Sequence, residues 1–110
     1  MTSDINELIR DAYANALAHG WHDTERSFPE ILMLLVSEIA EAMEEFRNHR
    51  GVNEIYFIGD KPEGIPIEVA DLLIRVFDWA GAENVDLLAA LDIKMRYNRG
   101  RTYRHGDKKL

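Results

Sequence analysis

The chain has 110 residues, no cysteine and a formal net charge of −7. This length fits a single domain, and a hydrophobic content of 46% is typical of a folded globular protein rather than a disordered one. The lack of cysteine excludes disulfides, thiolate metal sites and a cysteine nucleophile, and the acidic balance argues against nucleic acid as a general partner.

Neither a signal peptide nor a membrane span is expected, because no N-terminal apolar segment and no run of about 18 apolar residues occurs. We therefore expect a cytoplasmic protein without a membrane partner. Seven of the thirteen Lys and Arg residues lie in the last seventeen positions, so that end is either a solvated tail or an anion-binding segment. We treat residues 1–110 as one domain, with 99–110 as a basic tail.

Hydrophobic periodicity predicts four helices and no convincing strand. The predicted helices span about Ser3–Ala18, Pro29–His49, Pro66–Ala80 and Asn84–Asn98. The segment 50–65 contains three glycines and a proline, so we predict a loop in which the stretch EIYFI (54–58) is at most briefly extended.

The helix ends carry their own signals. Thr2 or Ser3 is suited to cap the first helix, and the pair His19–Gly20 is suited to end it. Ser27 is the expected cap of the second helix. Gly81 is expected to end the third.

The second helix places acids in line with its own apolar stripe. At about 100° per residue, Glu41 and Glu45 fall within about 60° of Glu38, as do Ile31 and Leu34 on the preceding turns. The helix therefore points carboxylates toward the side that it should bury.

The third helix repeats this pattern. Glu68 and Asp71 are three residues apart, as are Glu38 and Glu41, and side chains at this spacing are neighbours on a helix. The rest of the third helix is apolar on nearly every side, which is typical of a helix buried on most faces. Because so small a chain can hardly surround a helix, we expect a homodimer or homotetramer with a shared, bundle-like core.

Four inward carboxylates need compensation, because burying an unpaired charge costs several kcal/mol or more. Protonation, salt bridges and a divalent cation are the three possibilities. Arg75 lies one turn after Asp71 and can neutralise one acid but not four. An all-oxygen site suits Mg²⁺, or Mn²⁺, better than Zn²⁺. The alternative is a set of acids at the helix edges, paired with Arg75, Arg47 or the tail.

The positions Glu38, Glu41, Glu68 and Asp71 resemble the EExxE…ExxD signature of the MazG-like, all-α nucleoside triphosphate pyrophosphohydrolases. The resemblance extends from about Trp21 to Arg101 and includes the order of the elements. Ser37 stands where the fuller signature has its first Glu. The resemblance implies a four-helix MazG-like fold and an enzyme that converts a (d)NTP to the monophosphate and pyrophosphate.

The resemblance also implies roles for the acids. Glu38, Glu41, Glu68 and Asp71 would bind one or more Mg²⁺ ions that carry the triphosphate, and a metal-activated water would attack the α-phosphorus. Glu41 or Glu45 is the candidate general base. The sequence does not separate a ligand from a base, and Glu45 is equally suited to a place outside the metal shell.

The fourth helix has a polar face suited to phosphate. If the helix continues to Arg101, the other members of this face lie within about 60° of Lys94: Tyr97, Asn98 and Arg101. The resemblance favours phosphate binding for this face, while the alternative is a set of cations that complement a helix C-terminus.

The nucleobase would stack on Trp21, which lies seventeen residues before Glu38 in a loop. His22 is adjacent and is a candidate hydrogen-bond partner of the base or sugar. The alternative for Trp21 is a loop anchor packed into the core.

Two other classes of function stay open: a non-catalytic helical interaction module, and a sensor that binds nucleotide without hydrolysing it. A P-loop ATPase is disfavoured because the glycines do not form its motif. A helix-turn-helix protein is disfavoured because no helix has a basic exposed face.

Overall fold

The computed structural model describes residues 4–101. Within them the elements are α1 (Ile5–Ala18), α2 (Phe28–Arg47), β1 (Tyr56–Ile58), β2 (Lys61–Glu63), α3 (Ile65–Ala82) and α4 (Leu87–Arg99). The mostly helical architecture agrees with the predicted all-α class. Among the described helices, none combines the length and the apolar character that a membrane crossing requires.

Helix α3 is the centre of the molecule, because both α1 and α2 pack against it and β2 contacts its first turn. Ile9 and Ala80 are the buried hydrophobic residues of the described chain, and three acids are buried as well: Glu38, Glu68 and Asp78. Helix α4 packs on no other helix to a similar extent, and its side chains beyond Leu87 are exposed.

The starts of α1 and α2 are fixed by side-chain caps. Ser27 caps α2 as predicted, since its Oγ accepts a hydrogen bond from the Glu30 backbone N–H at 3.3 Å while Glu30 Oε1 accepts one from the Ser27 N–H at 3.2 Å. The prediction for α1 is wrong. Its cap is Asp4, whose carboxylate accepts from the Asn6 N–H at 2.8 Å; Thr2 and Ser3 lie outside the described residues.

Helix α3 continues past the predicted stop at Gly81. A Cβ on Gly81 would lie 2.7 Å from the Tyr13 Cβ, so this glycine allows α1 and α3 to approach closely rather than ending the helix. Helix α4 begins three residues later than predicted, because Asn84 has a positive φ of 55° and Asp86 is the cap, accepting from the Ala89 N–H at 3.0 Å.

The basic tail and the second helix also need corrected bounds. Helix α4 includes Arg99, so the predicted tail begins inside the helix, and residues 102–110 of that tail lie outside the described chain. Helix α2 ends at Arg47, two residues before the predicted end, with Asn48 as its C-cap.

The predicted loop 50–65 contains a β-hairpin. Its two strands are antiparallel, and the pairs are Tyr56 with Glu63, Phe57 with Pro62, and Ile58 with Lys61. Gly59 lies in the turn with a φ of 62°. The prediction of no convincing strand is wrong here, because a tight turn suffices to pair two strands that are too short for a period-2 pattern.

Gly64 joins the hairpin to α3 at a position that has no room for a side chain. It has a φ of 124°, and a Cβ there would collide with the backbone carbonyl oxygen of Glu54. We expect Gly64→Ala to lower the free energy of unfolding by roughly 2–3 kcal/mol in urea denaturation. Gly59→Ala is the matched control. Its φ is also positive, but apart from its chain neighbours no atom of the described residues lies within 4 Å of the added Cβ, so roughly 1 kcal/mol should be lost. Equal losses in both variants would contradict the collision.

Candidate metal centre

Three of the four predicted metal ligands meet between α2 and α3. Glu38, Glu41 and Glu68, called here the first acid group, each offer a carboxylate oxygen, and these oxygens all lie within 4.8 Å of one another. Glu38 and Glu41 come from α2 and Glu68 comes from α3. The helical register predicted this meeting, because each acid lies on the side that its helix turns toward the other.

Two members of the first acid group are buried without full compensation. Glu38 is 5% exposed and Glu68 is 8% exposed. The Oε2 atom of each is buried and has no hydrogen-bond partner within residues 4–101. An unpaired buried polar atom destabilises a fold, more so when it is charged. These two oxygens are therefore suited to a proton or a cation.

Salt bridges account for only part of this charge. Arg75 Nε donates to Glu38 Oε1 at 2.7 Å, so Arg75 neutralises one acid. Arg47 pairs instead with Glu44, with 3.7 Å between Arg47 Nη1 and Glu44 Oε2, and both side chains are exposed. Among the described residues, the alternative in which Arg75, Arg47 or the tail pairs with the acids is therefore realised within the first acid group for Glu38 alone. Residues 102–110 of the tail lie outside that part of the chain.

Asp71 does not join the first acid group. It lines a cleft together with Glu38, Trp21 and Arg75, one turn further along α3 than Glu68. Burial raises the pKa of its carboxyl, and the Arg75 charge opposes that rise. The structure thus places the fourth predicted ligand at the border of the site.

A second acid group shares Glu68 with the first. It consists of Glu45, Glu63 and Glu68, whose oxygens again lie within 4.8 Å of one another. The Tyr56 hydroxyl lies 3.0 and 2.9 Å from the two carboxylate oxygens of Glu45 and donates to that group. Glu63 was not a predicted site residue. Only recognition of the hairpin that carries it would have brought it to attention.

The loop with Trp21 and His22 lies beside the acids and is held by two kinds of contact. The Arg26 and Arg75 guanidinium carbons lie 4.0 and 4.7 Å from the centre of the Trp21 ring, in cation–π contact. His22 Nε2 lies 2.7 Å from Asp78 Oδ1, and Asp78 is buried on α3. His22 therefore anchors the loop to α3.

Trp21 also borders a cavity of about 430 Å³, which Tyr13 and Trp79 line as well. Trp21 belongs to the lining of both this cavity and the cleft that contains Glu38 and Asp71. The predicted base-stacking residue is thus next to the acids, although its ring already contacts two guanidinium groups.

The predicted phosphate-binding face forms on α4 but is not brought to the acids. Lys94 Nζ and the Arg101 guanidinium carbon lie 5.0 and 5.2 Å from the Tyr97 ring centre, and Asn98 is exposed one residue further along. Among the described residues, Arg75 and Lys61 are the basic side chains in ion pairs with the acid groups. The charge of Glu45 also acts on Arg50, whose guanidinium covers the Tyr56 ring. Lys61 Nζ lies 2.9 Å from Glu63 Oε1.

The acids perturb one another's ionisation. Burial raises the pKa of Glu68 to about 7, and a hydrogen bond with Glu41 and the charges of Glu41, Asp71 and Glu38 contribute to the rise. The hydrogen bond and charge of Glu63 raise the pKa of Lys61, with Glu68 and Glu41 adding to the effect. The region therefore attracts positive charge.

Comparison with protein-family models, with curated proteins and with solved structures finds no match for this chain. An activity must therefore be argued from the chemistry of the acid groups and from the residues around them.

The raised pKa of Glu68 predicts a pH-dependent stability in metal-free buffer. A carboxyl with a folded-state pKa near 7 and an ordinary value of 4.5 favours the folded state below pH 4.5, and this contribution is lost as the pH rises through 7. Glu68→Gln cannot ionise at this position. We therefore expect the melting temperature of Glu68→Gln minus that of wild type to increase by at least ~5 °C as the pH rises from 5 to 8. Glu44→Gln, an exposed acid of the same helix pair, should show no such gain. Parallel pH profiles for wild type and Glu68→Gln would contradict the assignment.

Proposed function

We propose that the protein is a Mg²⁺-dependent nucleoside triphosphate pyrophosphohydrolase that converts a (d)NTP to a (d)NMP and pyrophosphate. The observation that carries the proposal is the first acid group, in which two of three converging carboxylates have a buried oxygen without a partner. The resemblance of these positions to the MazG-like signature supplies the reaction and the four-helix MazG-like fold as parts of the same proposal.

The residues present fit the proposed ion. All donors in the first acid group are carboxylate oxygens, the ligands that Mg²⁺ and Mn²⁺ prefer. Glu38, Glu41 and Glu68 would hold the ion. Asp71, one turn after Glu68 on α3, would be an additional ligand. When bound, the ion polarises a phosphate oxygen and lowers the pKa of a water molecule.

The remaining chemistry belongs to the protein. Glu41 is exposed whereas Glu38 and Glu68 are buried, so Glu41 is the member of its group best able to accept a proton from an attacking water. Glu45 is the second candidate base, and Tyr56 orients its carboxylate. The water oxygen bonds to the α-phosphorus, the bond from that phosphorus to the bridging oxygen breaks, and pyrophosphate leaves.

Substrate contacts follow from the positions of the basic and aromatic residues. Arg75 and Lys61 form ion pairs with members of the acid groups, so we assign them the first phosphate contacts. Trp21 and the cavity beside it are the proposed base site, with His22 holding the loop. Lys94, Tyr97, Asn98 and Arg101 would contact phosphate only if α4 of a second copy lies across the site. A cytoplasmic location, where nucleotides are available, is part of this proposal.

A homodimer is proposed as the working unit, or a homotetramer built from it. Helix α2 presents an exposed apolar seam whose members follow one another at alternating spacings of four and three residues: Leu32, Val36, Ile39, Met43 and Phe46. This spacing is typical of helices that pair along a seam, and contiguous exposed apolar surface of this kind marks an interface.

The same seam favours a second candidate function, a helical interaction module without activity. Such a module has no use for buried acids with unpaired oxygens, and replacing those acids should then stabilise the protein without the loss of any function. A nucleotide sensor differs from the proposed enzyme only in the absence of turnover.

The reaction products and the requirement for Mg²⁺ test the proposed hydrolase. With a panel of (d)NTPs and Mg²⁺, we expect pyrophosphate and the monophosphate as products, and no reaction with EDTA. Glu38→Gln and Glu41→Gln should each lower kcat/KM at least ~100-fold, because even residues that only orient a metal ligand contribute 10–100-fold. Glu44→Gln, whose carboxylate pairs with Arg47 on the outer face, should retain activity. Orthophosphate as the sole product would exclude attack at the α-phosphorus, and the absence of reaction would favour the interaction module.

Charged substitutions on α2 test whether the apolar seam is the dimer interface. Ile39→Glu places a charge in the middle of it and should raise the dimer dissociation constant at least ~10-fold, since burying an unpaired charge costs more than 1.4 kcal/mol. Met33→Glu is the matched control, because Met33 is exposed on α2 but lies outside the seam. Analytical ultracentrifugation measures both variants. A wild-type protein that stays monomeric at high concentration would refute the dimer.

A further inference from the structure

The second acid group has the composition of a cation site but lies outside the predicted ligand set. Glu45 is one turn beyond Glu41 on α2, and Glu63 is at the end of β2. Together with Glu68 they bring three carboxylate oxygens within 4.8 Å of one another. Acids at this separation repel one another unless a positive charge lies between them.

Glu68 is the observation that points to a ligand here. It is 8% exposed, it belongs to both acid groups, and its Oε2 is buried without a hydrogen-bond partner in the part of the chain that the structure describes. A carboxylate has two oxygens and can bind one cation with each. Glu68 is thus placed to connect two cations.

The neighbouring groups orient the other two ligands without neutralising the site. Tyr56 donates to Glu45 and is itself covered by the Arg50 guanidinium, 3.7 Å from the ring centre. Lys61 pairs with Glu63 at 2.9 Å, but the Lys61 side chain is 75% exposed. Since ion pairs at the surface are weak, a dication can displace the Lys61 ammonium from Glu63.

The charge balance favours two ions over one. The two acid groups together contain five carboxylates, and among the described residues Arg75 and Lys61 are the basic side chains in ion pairs with them. When all five are ionised, these two pairs leave three negative charges, which exceeds the charge of one dication.

We propose that Glu45, Glu63 and Glu68 form a second divalent-cation site, which Glu68 bridges to the first. The ligand class is a hard dication, Mg²⁺ or Mn²⁺, because every donor is a carboxylate oxygen. The site deepens the proposed hydrolase, since two adjacent cations stabilise both the attacking and the leaving oxygen in phosphoryl transfer. Its test depends on metal binding and not on turnover.

The experiment measures Mn²⁺ binding to the full chain by equilibrium dialysis and by electron paramagnetic resonance. Wild type should bind two ions per chain and give the spectrum of a spin-coupled pair. Glu63→Gln should bind one ion and give the spectrum of an isolated ion, whereas Glu44→Gln should behave as wild type. Lys61→Met frees Glu63 of its partner and should tighten binding of the second ion about threefold. Circular dichroism verifies the fold of each variant.

The outcomes separate this site from the proposed activity. One ion per wild-type chain, or two ions that Glu63→Gln leaves unchanged, would overturn the second site. Two coupled ions in a protein that hydrolyses no nucleotide would support the second site and refute the hydrolase. Nucleotide hydrolysis by a chain that binds a single ion would support the hydrolase and refute the second site.

Discussion

The structure depends on the burial of negative charge between α2 and α3. In the described chain Glu38 and Glu68 are as buried as Ile9 and nearly as buried as Ala80, so the contact between the two central helices includes carboxylates where a core would normally have aliphatic side chains. Arg75 compensates Glu38, but one oxygen on each acid has no partner. A proton or a cation at these acids would therefore stabilise the packing of α2 on α3. Stability and cation binding would then be linked.

The hairpin is part of the site rather than a connection between helices. It follows α2 and directly precedes α3, and Gly64 brings its end against the Glu54 carbonyl so closely that no side chain fits. This close approach places Tyr56 and Glu63 beside Glu45, and it places Lys61 where its charge acts on Glu68 and Glu41. A change in the hairpin would thus be felt by both acid groups.

Helical periodicity predicted what a single helix decides and failed where two elements must be placed relative to each other. The register of Glu38, Glu41 and Glu68 follows from 100° per residue, and so does the cluster around Tyr97. Asp71 shows the limit: its three-residue spacing from Glu68 makes it a neighbour along α3 but says nothing about its distance from α2. Glu63 had no signal, because a three-residue strand is too short for a period. The position of α4 relative to the acids depends on tertiary contacts that no pattern in its own sequence encodes.

Helix α2 has an apolar face and an acidic face, and their separation constrains how the proposed association and the proposed chemistry can be combined. The centre of the apolar seam lies about 120° around the helix from Glu38, so a partner helix on the seam leaves the acids uncovered. The seam begins one turn into the helix that the Ser27 cap starts and continues almost to its end. Pairing along its length would hold α2 straight, and both acid groups take members from this one helix. Association would then fix the spacing between Glu38, Glu41 and Glu45 without contributing a ligand, because metal ligands on a rigid helix are positioned more accurately than ligands on loops.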